Sequence, residues 1–361
     1  MRRSLPLLVA AVFLVPLVTG CEGPAGPEGP AGATGAQGPA GQDATETCTQ
    51  CHTNSVGLYA VQVQYAKSTH RLGGNFERST TSCAPCHTHQ GFIERIATGA
   101  TSTADDILNP APINCRTCHQ IHTTYTQADY AFTVSGANSM TFNPDQGPID
   151  FGEIGNLCSQ CHQGRALSPM PVVGGANVTI TSSRYGYHHG PQAQIVGGVG
   201  AFDLSGELPG SEGLMLASGG AMAHGNPSIN QGTCGTCHMG EAFGEQAGGH
   251  TWKMSYDYHG RSVNNVAGCT DCHSSIEDFD YNGVQTEIED LLEELSTELQ
   301  RVGVQRADHY ANTGSWPANV AAAFVNWQMF EEDRSLGGHN PAYAMAILQA
   351  SIDYLQTLPT P

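Results

Sequence analysis

The stretch NCRTCHQIH, residues 114–122, sets Cys115 and Cys118 three apart, places His119 directly behind the second, and adds His122 three residues on. The first three residues are a unit that recurs. CTQCH carries Cys48, Cys51 and His52, and CAPCH carries Cys83, Cys86 and His87. CSQCH follows with Cys158, Cys161 and His162, then CGTCH with Cys234, Cys237 and His238, then CTDCH with Cys269, Cys272 and His273. Six copies take twelve of the 13 cysteines and six of the 16 histidines. No repeat beyond the motif itself is evident.

The spacing has a chemical reading. Two thiols separated by two residues reach the two vinyl groups of one haem, and the next residue then supplies an imidazole to the iron from below. Zinc sites also use Cys-x-x-Cys, and an exported chain can form disulfides. Neither accounts for a histidine after the second cysteine in six cases of six. Six covalent c-type haems, with His52, His87, His119, His162, His238 and His273 as proximal iron ligands, are therefore expected.

The bulk composition agrees. Over 361 residues only 39% are hydrophobic and 13% charged, while glycine numbers 44. Aliphatic side chains are thin for a conventional interior, and large apolar haems supply one. The expected fold has little regular structure wrapped around six haems, with short, mainly α elements and a helical C-terminal segment. The formal charge of −19 argues against nucleic-acid binding; solubility alone explains it, and a cationic partner is electrostatically easier.

Ten histidines remain for six second axial positions. If His122 shares a helical turn with His119, it stands on the same side of the porphyrin and cannot reach the opposite face of that iron. As a ligand it must serve another haem, and so draw two haems together. A surface histidine is the plainer alternative.

With these motifs in view, residues 45–358 resemble the multihaem c-type cytochromes of bacteria that respire external acceptors such as metal oxides. The resemblance implies mostly bis-histidine haems, cross-ligation of the kind CHQIHTTYT suggests, and redox partner proteins that include other multihaem cytochromes. His70 in AKSTHRLGG is similar to distal ligands of that group. His224 in MAHGNP and His250 in GGHTWKM occupy loops that can aim a ring. His339 precedes Asn340 and Pro341, which read as N-cap and first residue of a final helix. Of His188 and His189 in RYGYHHGP, an extended backbone points only one at a given haem. The distal set is then His70, His122, His188 or His189, His224, His250 and His339. His89, His259 and His309 are bystanders, the first two in reserve. HNPAYA with its helix also resembles the C-terminal region of the pentahaem nitrite reductase family, whose helical end implies a dimer contact.

The N-terminus reads as an export signal over residues 1–20: Arg2 and Arg3, an apolar run from Leu5 to Val18, and LVTG before Cys21. That tetrapeptide resembles a bacterial lipobox and makes Cys21 the lipidation candidate, which implies a membrane-anchored lipoprotein at the outer membrane or cell surface, or facing the periplasm. From Gly23 to Gly41 glycine recurs every third residue. This collagen-like tract, residues 21–44 with the anchor, is either a single-chain spacer reaching about 65 Å at about 3.1 Å per residue or a trimerising stalk. A six-haem domain follows over 45–281, with helices over 282–361 packing on it.

In that last segment Ile288, Leu291, Leu292, Leu295, Leu299 and Val302 form one helical stripe. Thr286 and Glu289 suggest a capping box, and Gly303 an exit. Further helices are expected from about Ala318 to Glu332 and from Pro341 to Leu358. NVTITSSRYGYH, residues 177–188, reads as a strand or hairpin.

Electron transfer through saturated irons is the leading function. A reductase of a small oxyanion or nitrogen compound needs an open iron; Arg165, Arg184, Tyr185 and Tyr187 are its candidate pocket residues. The related nitrite reductases use a lysine in place of the active haem's motif histidine, and no Cys-x-x-Cys-Lys occurs here. A cytochrome filament subunit is the third reading.

Overall fold

The computed structural model describes residues 48, 51–52, 56–72, 76–139, 141, 148–187, 190–206, 223–226 and 228–359. Chain contacts separate Met1–Ala44 from Thr45–Pro361, and every described residue lies in the second unit. The signal segment, Cys21, the Gly-x-y tract, His188 and His189 fall outside the described residues.

Each cysteine motif folds as one tight turn. The backbone N–H of His52 donates to the Cys48 carbonyl at 2.7 Å, and the same bond recurs at His87, His119, His162 and His273 with lengths of 2.8–3.2 Å. The fifth motif is a helical turn itself, Cys234–His238. Helical spacing puts the two cysteines on one face of the turn, which is what a shared planar partner requires.

Short helices brace these turns. Helix α1 spans Val56–Ala66 and α2 spans His89–Thr98. Thr88, extended and buried, caps α2: its hydroxyl accepts from the Gly91 N–H at 2.9 Å and donates to the Ala84 carbonyl at 3.1 Å. A Cβ on Gly91 would collide with the Ala84 backbone, so glycine lets α2 press directly on the second motif. Regular structure is thus already present well before the C-terminal segment.

Strand β1, Val178–Ile180, lies in the segment expected as a strand or hairpin. Its antiparallel partner is not a neighbour in sequence: Val178 pairs with Trp316 of β4, Gly314–Trp316. Strands β2, Ser255–Tyr258, and β3, Arg261–Asn264, form a local hairpin.

The C-terminal helices are α3 (Val284–Arg301), α4 (Ala318–Asp333) and α5 (Pro341–Gln356). α4 is buried along most of its length and runs through the middle of the core. Leu295 and Leu299 of α3, Phe324 and Met329 of α4, and Ile347 and Leu348 of α5 are fully covered there. Burying each such side chain stabilises by about 1.5–3 kcal/mol. Ile180, Tyr185 and Ile195 join the same core, so the glycine-rich interval between the fourth and fifth motifs packs on these helices, and Phe151, just before the fourth motif, joins it too.

One capping expectation is corrected. α3 starts at Val284, behind Gly283 at φ 77°, so Thr286 sits inside the first turn and cannot be the N-cap. Its N–H and hydroxyl both donate to Asp280, at 3.1 and 2.6 Å, and a carboxylate supplies the cap in place of the Thr286–Glu289 box. Gly303, φ 89°, ends the helix as its sequence suggests. At α5, Asn340 accepts from the Tyr343 N–H at 3.2 Å, with Pro341 as first residue.

Candidate haem sites

Among the described residues, five histidine ring pairs join distant segments. His52 faces His122 with ring centres 6.0 Å apart, His70 faces His162 at 6.1 Å, and His119 faces His250 at 6.5 Å. His224 faces His273 at 6.1 Å and His238 faces His339 at 6.2 Å. Each pair joins one motif histidine to one histidine outside the motifs. The sixth motif histidine is His87; its expected partner, His188 or His189, lies outside the described residues.

These distances fit a metal between the rings. A metal–imidazole nitrogen bond of about 2.0 Å, plus about 1.1 Å from that nitrogen to the ring centre, taken on both sides, gives about 6.2 Å. Direct ring stacking would be closer. Burial lowers the basicity of His70, His162, His224, His238 and His250, which favours the neutral imidazole that a metal needs. For His70 burial acts first, then the charges of His162 and His238, lowering its pKa to about 4.

Hydrogen bonds orient the rings. Nδ1 of His119 lies 2.7 Å from the Tyr130 carbonyl, that of His224 2.8 Å from the Gly338 carbonyl, and that of His238 3.2 Å from the Trp252 carbonyl. A carbonyl only accepts, so Nδ1 carries the proton in each and Nε2 keeps its lone pair for a metal. His339 differs: its Nδ1 donates to the Asp333 carboxylate at 2.6 Å. Burial, the largest single influence, lowers the basicity of His339, but the charge and hydrogen bond of Asp333 together with Cys234 outweigh it and the pKa is raised.

The segments that present the non-motif histidines are individually built. His122 does not continue a helical turn from His119, as the sequence suggested. The turn closes at Cys118, His119 is extended, and His122 sits at φ 66°. Asp129 braces the loop beyond it by accepting from Thr124 and Tyr125 at 2.7–3.0 Å, and Tyr125 stacks on the His122 ring at 5.4 Å. The reversal carries His122 to His52. His70 lies in the short helix Thr69–Leu72 just past α1. Gln64 of α1 accepts from the His250 N–H at 3.0 Å and donates to the Gly244 carbonyl at 3.1 Å, which fixes the His250 loop.

The motifs also touch one another. The Cys86 and Cys161 thiols interact, as do Cys158 with Cys234 and Cys237 with Cys269. Glycine again permits the approach: a Cβ on Gly268 would collide with the Thr236 carbonyl of the fifth motif. Tyr130 ties the first site to the third, because its carbonyl holds His119 and its hydroxyl meets Cys51. Trp252 lies edge-on to His70 at 4.7 Å and to His250 at 5.5 Å, while its carbonyl holds His238. The second, fourth, fifth and sixth motifs thus form one contiguous line, with the third and first joined to it.

Gln64, Tyr130, Trp252 and Asp333 were not identified from sequence. Trp252 follows His250 by two residues, the only local hint; nothing local marks Asp333. Tyr185 and Tyr187, candidate pocket residues for a reductase, are buried in the core and donate to the Pro169 and Gly200 carbonyls, each at 2.7 Å. Burial pushes both hydroxyls up from their ordinary pKa. His89 bonds Thr117 at 2.9 Å, His309 bonds Ser296 at 3.2 Å, and His259 meets Tyr258 edge-on at a hairpin turn. No described helix is long and apolar enough to cross a membrane.

No protein-family model matches the chain. It is similar to C-type polyheme cytochrome OmcB of two strains of Geobacter sulfurreducens, 28% identical over 233 residues. The match covers 56% of this chain and 28% of the length of that relative. Among solved structures, the outer cell wall cytochrome OcwA aligns with 81% of this chain and 50% of its own, at a TM-score of 0.47 and 18% identity. The undecaheme cytochrome from the S-layer of Carboxydothermus ferrireducens aligns with 84% of this chain and 40% of its own, at 0.43 and 20%. The chain is thus similar to multihaem c-type cytochromes.

Proposed function

We propose that this chain is a hexahaem electron carrier, exported and anchored through Cys21, that passes electrons to an acceptor outside the cell. The observation that carries the reading is the set of five ring pairs spaced at 6.0–6.5 Å. The twelve motif cysteines would hold six haems. His52 with His122, His119 with His250, His162 with His70, His238 with His339 and His273 with His224 would be their axial pairs. His87 would be completed by His188 or His189. Gly190, next to that pair, lies against the Cys161 carbonyl and His162, and Cys161 meets Cys86 of the second motif.

When bound, haem iron supplies reversible one-electron chemistry. The protein's part is to fix spacing and saturation. Paired imidazoles leave an iron no open position for a substrate, which suits a carrier and not a reductase. Contact between motifs keeps neighbouring centres close. The commitment of Tyr185 and Tyr187 to backbone carbonyls removes two groups that an anion pocket would need. Redox partners, a terminal acceptor and surface location are part of the proposal, supported by the likeness to OmcB and by the apolar run before Cys21.

The test is spectroscopic. The matured protein should carry six haems by mass and haem stain, be low-spin throughout when oxidised, and show no change on adding nitrite, sulfite or hydroxylamine. A high-spin haem that binds those molecules would overturn the carrier reading. His122→Ala should convert one haem of six to high-spin or exchangeable ligation; an unchanged low-spin spectrum would remove His122 from the ligand set.

A further inference from the structure

The second atom of each axial ring is not treated alike. Nδ1 of His119, His224 and His238 donates to a backbone carbonyl, a neutral dipole. Nδ1 of His339 donates to Asp333 Oδ1 at 2.6 Å, shorter than those three. Asp333 is itself buried, with its side chain 2% exposed. Its other carboxylate oxygen accepts from the Ser335 hydroxyl, whose oxygen in turn accepts from the His339 N–H at 3.2 Å. Asp333 closes α4 and His339 precedes α5, so two helices of the aliphatic core hold the pair in register. No arginine or lysine is paired with the carboxylate among the described ion pairs; its ionic partner there is His339.

We propose that Asp333 tunes the fifth haem, lowering its reduction potential through His339. It is a positioning and electrostatic residue and does not touch the iron. The inference rests on His339 being an axial ligand, as set out above. A carboxylate that draws the Nδ1 proton makes the opposite nitrogen a stronger donor. Stronger donation favours the ferric state, which carries one more positive charge than the ferrous. The negative charge acts in the same direction, and in a buried setting it is weakly screened. A carbonyl partner supplies much less of either effect. The fifth motif touches both the fourth and the sixth, so the effect falls inside the line of centres and not at its end.

The test compares midpoint potentials of the intact, six-haem protein before and after Asp333→Asn, which keeps an oxygen facing Nδ1 and drops the charge. One of the six midpoints should rise. At a fixed potential near it, the reduced-to-oxidised ratio of that haem should increase about tenfold, equivalent to about 59 mV for one electron. Six haems retained with every midpoint unchanged overturns the proposal. If Asp333→Asn loses a haem, Ser335→Ala decides: it withdraws the hydroxyl from the far oxygen and leaves more charge facing His339, so one midpoint should fall, and an unchanged set again overturns it. Failure of the underlying reading looks different. His339→Ala would then leave six low-spin haems untouched, whereas a sound ligand assignment opens one iron whatever Asp333 does.

Discussion

The C-terminal helices and the motif-bearing segments are held together by different means. Around α3, α4 and α5 the interior is aliphatic and aromatic, and Leu295, Leu348 and Phe324 are covered by other side chains of the protein. Between Cys83 and Asn138 the buried side chains are few and mostly small or polar, among them Ala84, Thr88, Thr117 and Asp129, with Phe92 the large exception. There the histidine pairs take the place of a core. They join remote segments: His52 to His122, His119 to His250, His70 to His162. Closing a loop of that order of length costs roughly 4 kcal/mol of chain entropy. Few buried apolar contacts are available there to offset it. One region can form from its own residues, and the other, on the proposed reading, needs the groups its cysteines would hold.

The sharpest way to break that contrast is to prevent haem attachment altogether. In chain made without it, segments 76–139 and 223–273 should become protease-sensitive while α3, α4 and α5 keep a helical circular-dichroism signal. Uniform resistance, or uniform loss, would show that the two regions are not distinct. Leu295→Ala acts from the other side. It should cost about 2–5 kcal/mol by cavity formation, read as a lower Tm of the helical signal, with the haem spectrum surviving to higher temperature. Simultaneous loss of both signals would mean that the haem region depends on the helices for its stability.

Asp280→Ala should have the smallest effect. Hydrogen bonds from Thr286 hold the Asp280 carboxyl below its ordinary pKa of 3.8. A depressed carboxylate stabilises above its unfolded pKa, and that stabilisation is lost as pH falls through the lower, folded value. The variant should therefore melt slightly earlier at neutral pH and match the parent in acid below that value. Equal differences at both pH values would rule out Asp280 as a charged cap.

Much of this was visible in the residues, and the limits have physical causes. The six motifs, the stripe on α3 and the Asn340–Pro341 start of α5 depend on local spacing, which sequence displays directly. The histidines outside the motifs could be singled out by context, but their pairing could not, because it depends on the path of the chain through space. His122 illustrates this. The structure sets its ring against His52, and the supposed shared helical turn with His119 does not exist. The left-handed backbone at His122 that redirects the chain has no marker in CHQIH. β1 could be read as a strand, yet its partner lies near Trp316, beyond α3. Asp333 escaped notice because a single aspartate at a helix end is common, and only folding brings it to His339.

If, as proposed, the chain is exported N-terminus first, the pairing has a consequence for assembly. If the rings ligate as proposed, the fourth centre can be completed at once, since His70 emerges before His162. The first must wait for His122, the third for His250 and the fifth for His339, close to the end of the chain. Until those residues arrive, the corresponding irons have one uncovered side, open to oxygen and to small ligands. Quality control is thereby built into chain order: a product truncated before His339 would carry every pigment and still have a vulnerable centre in the middle of its wire.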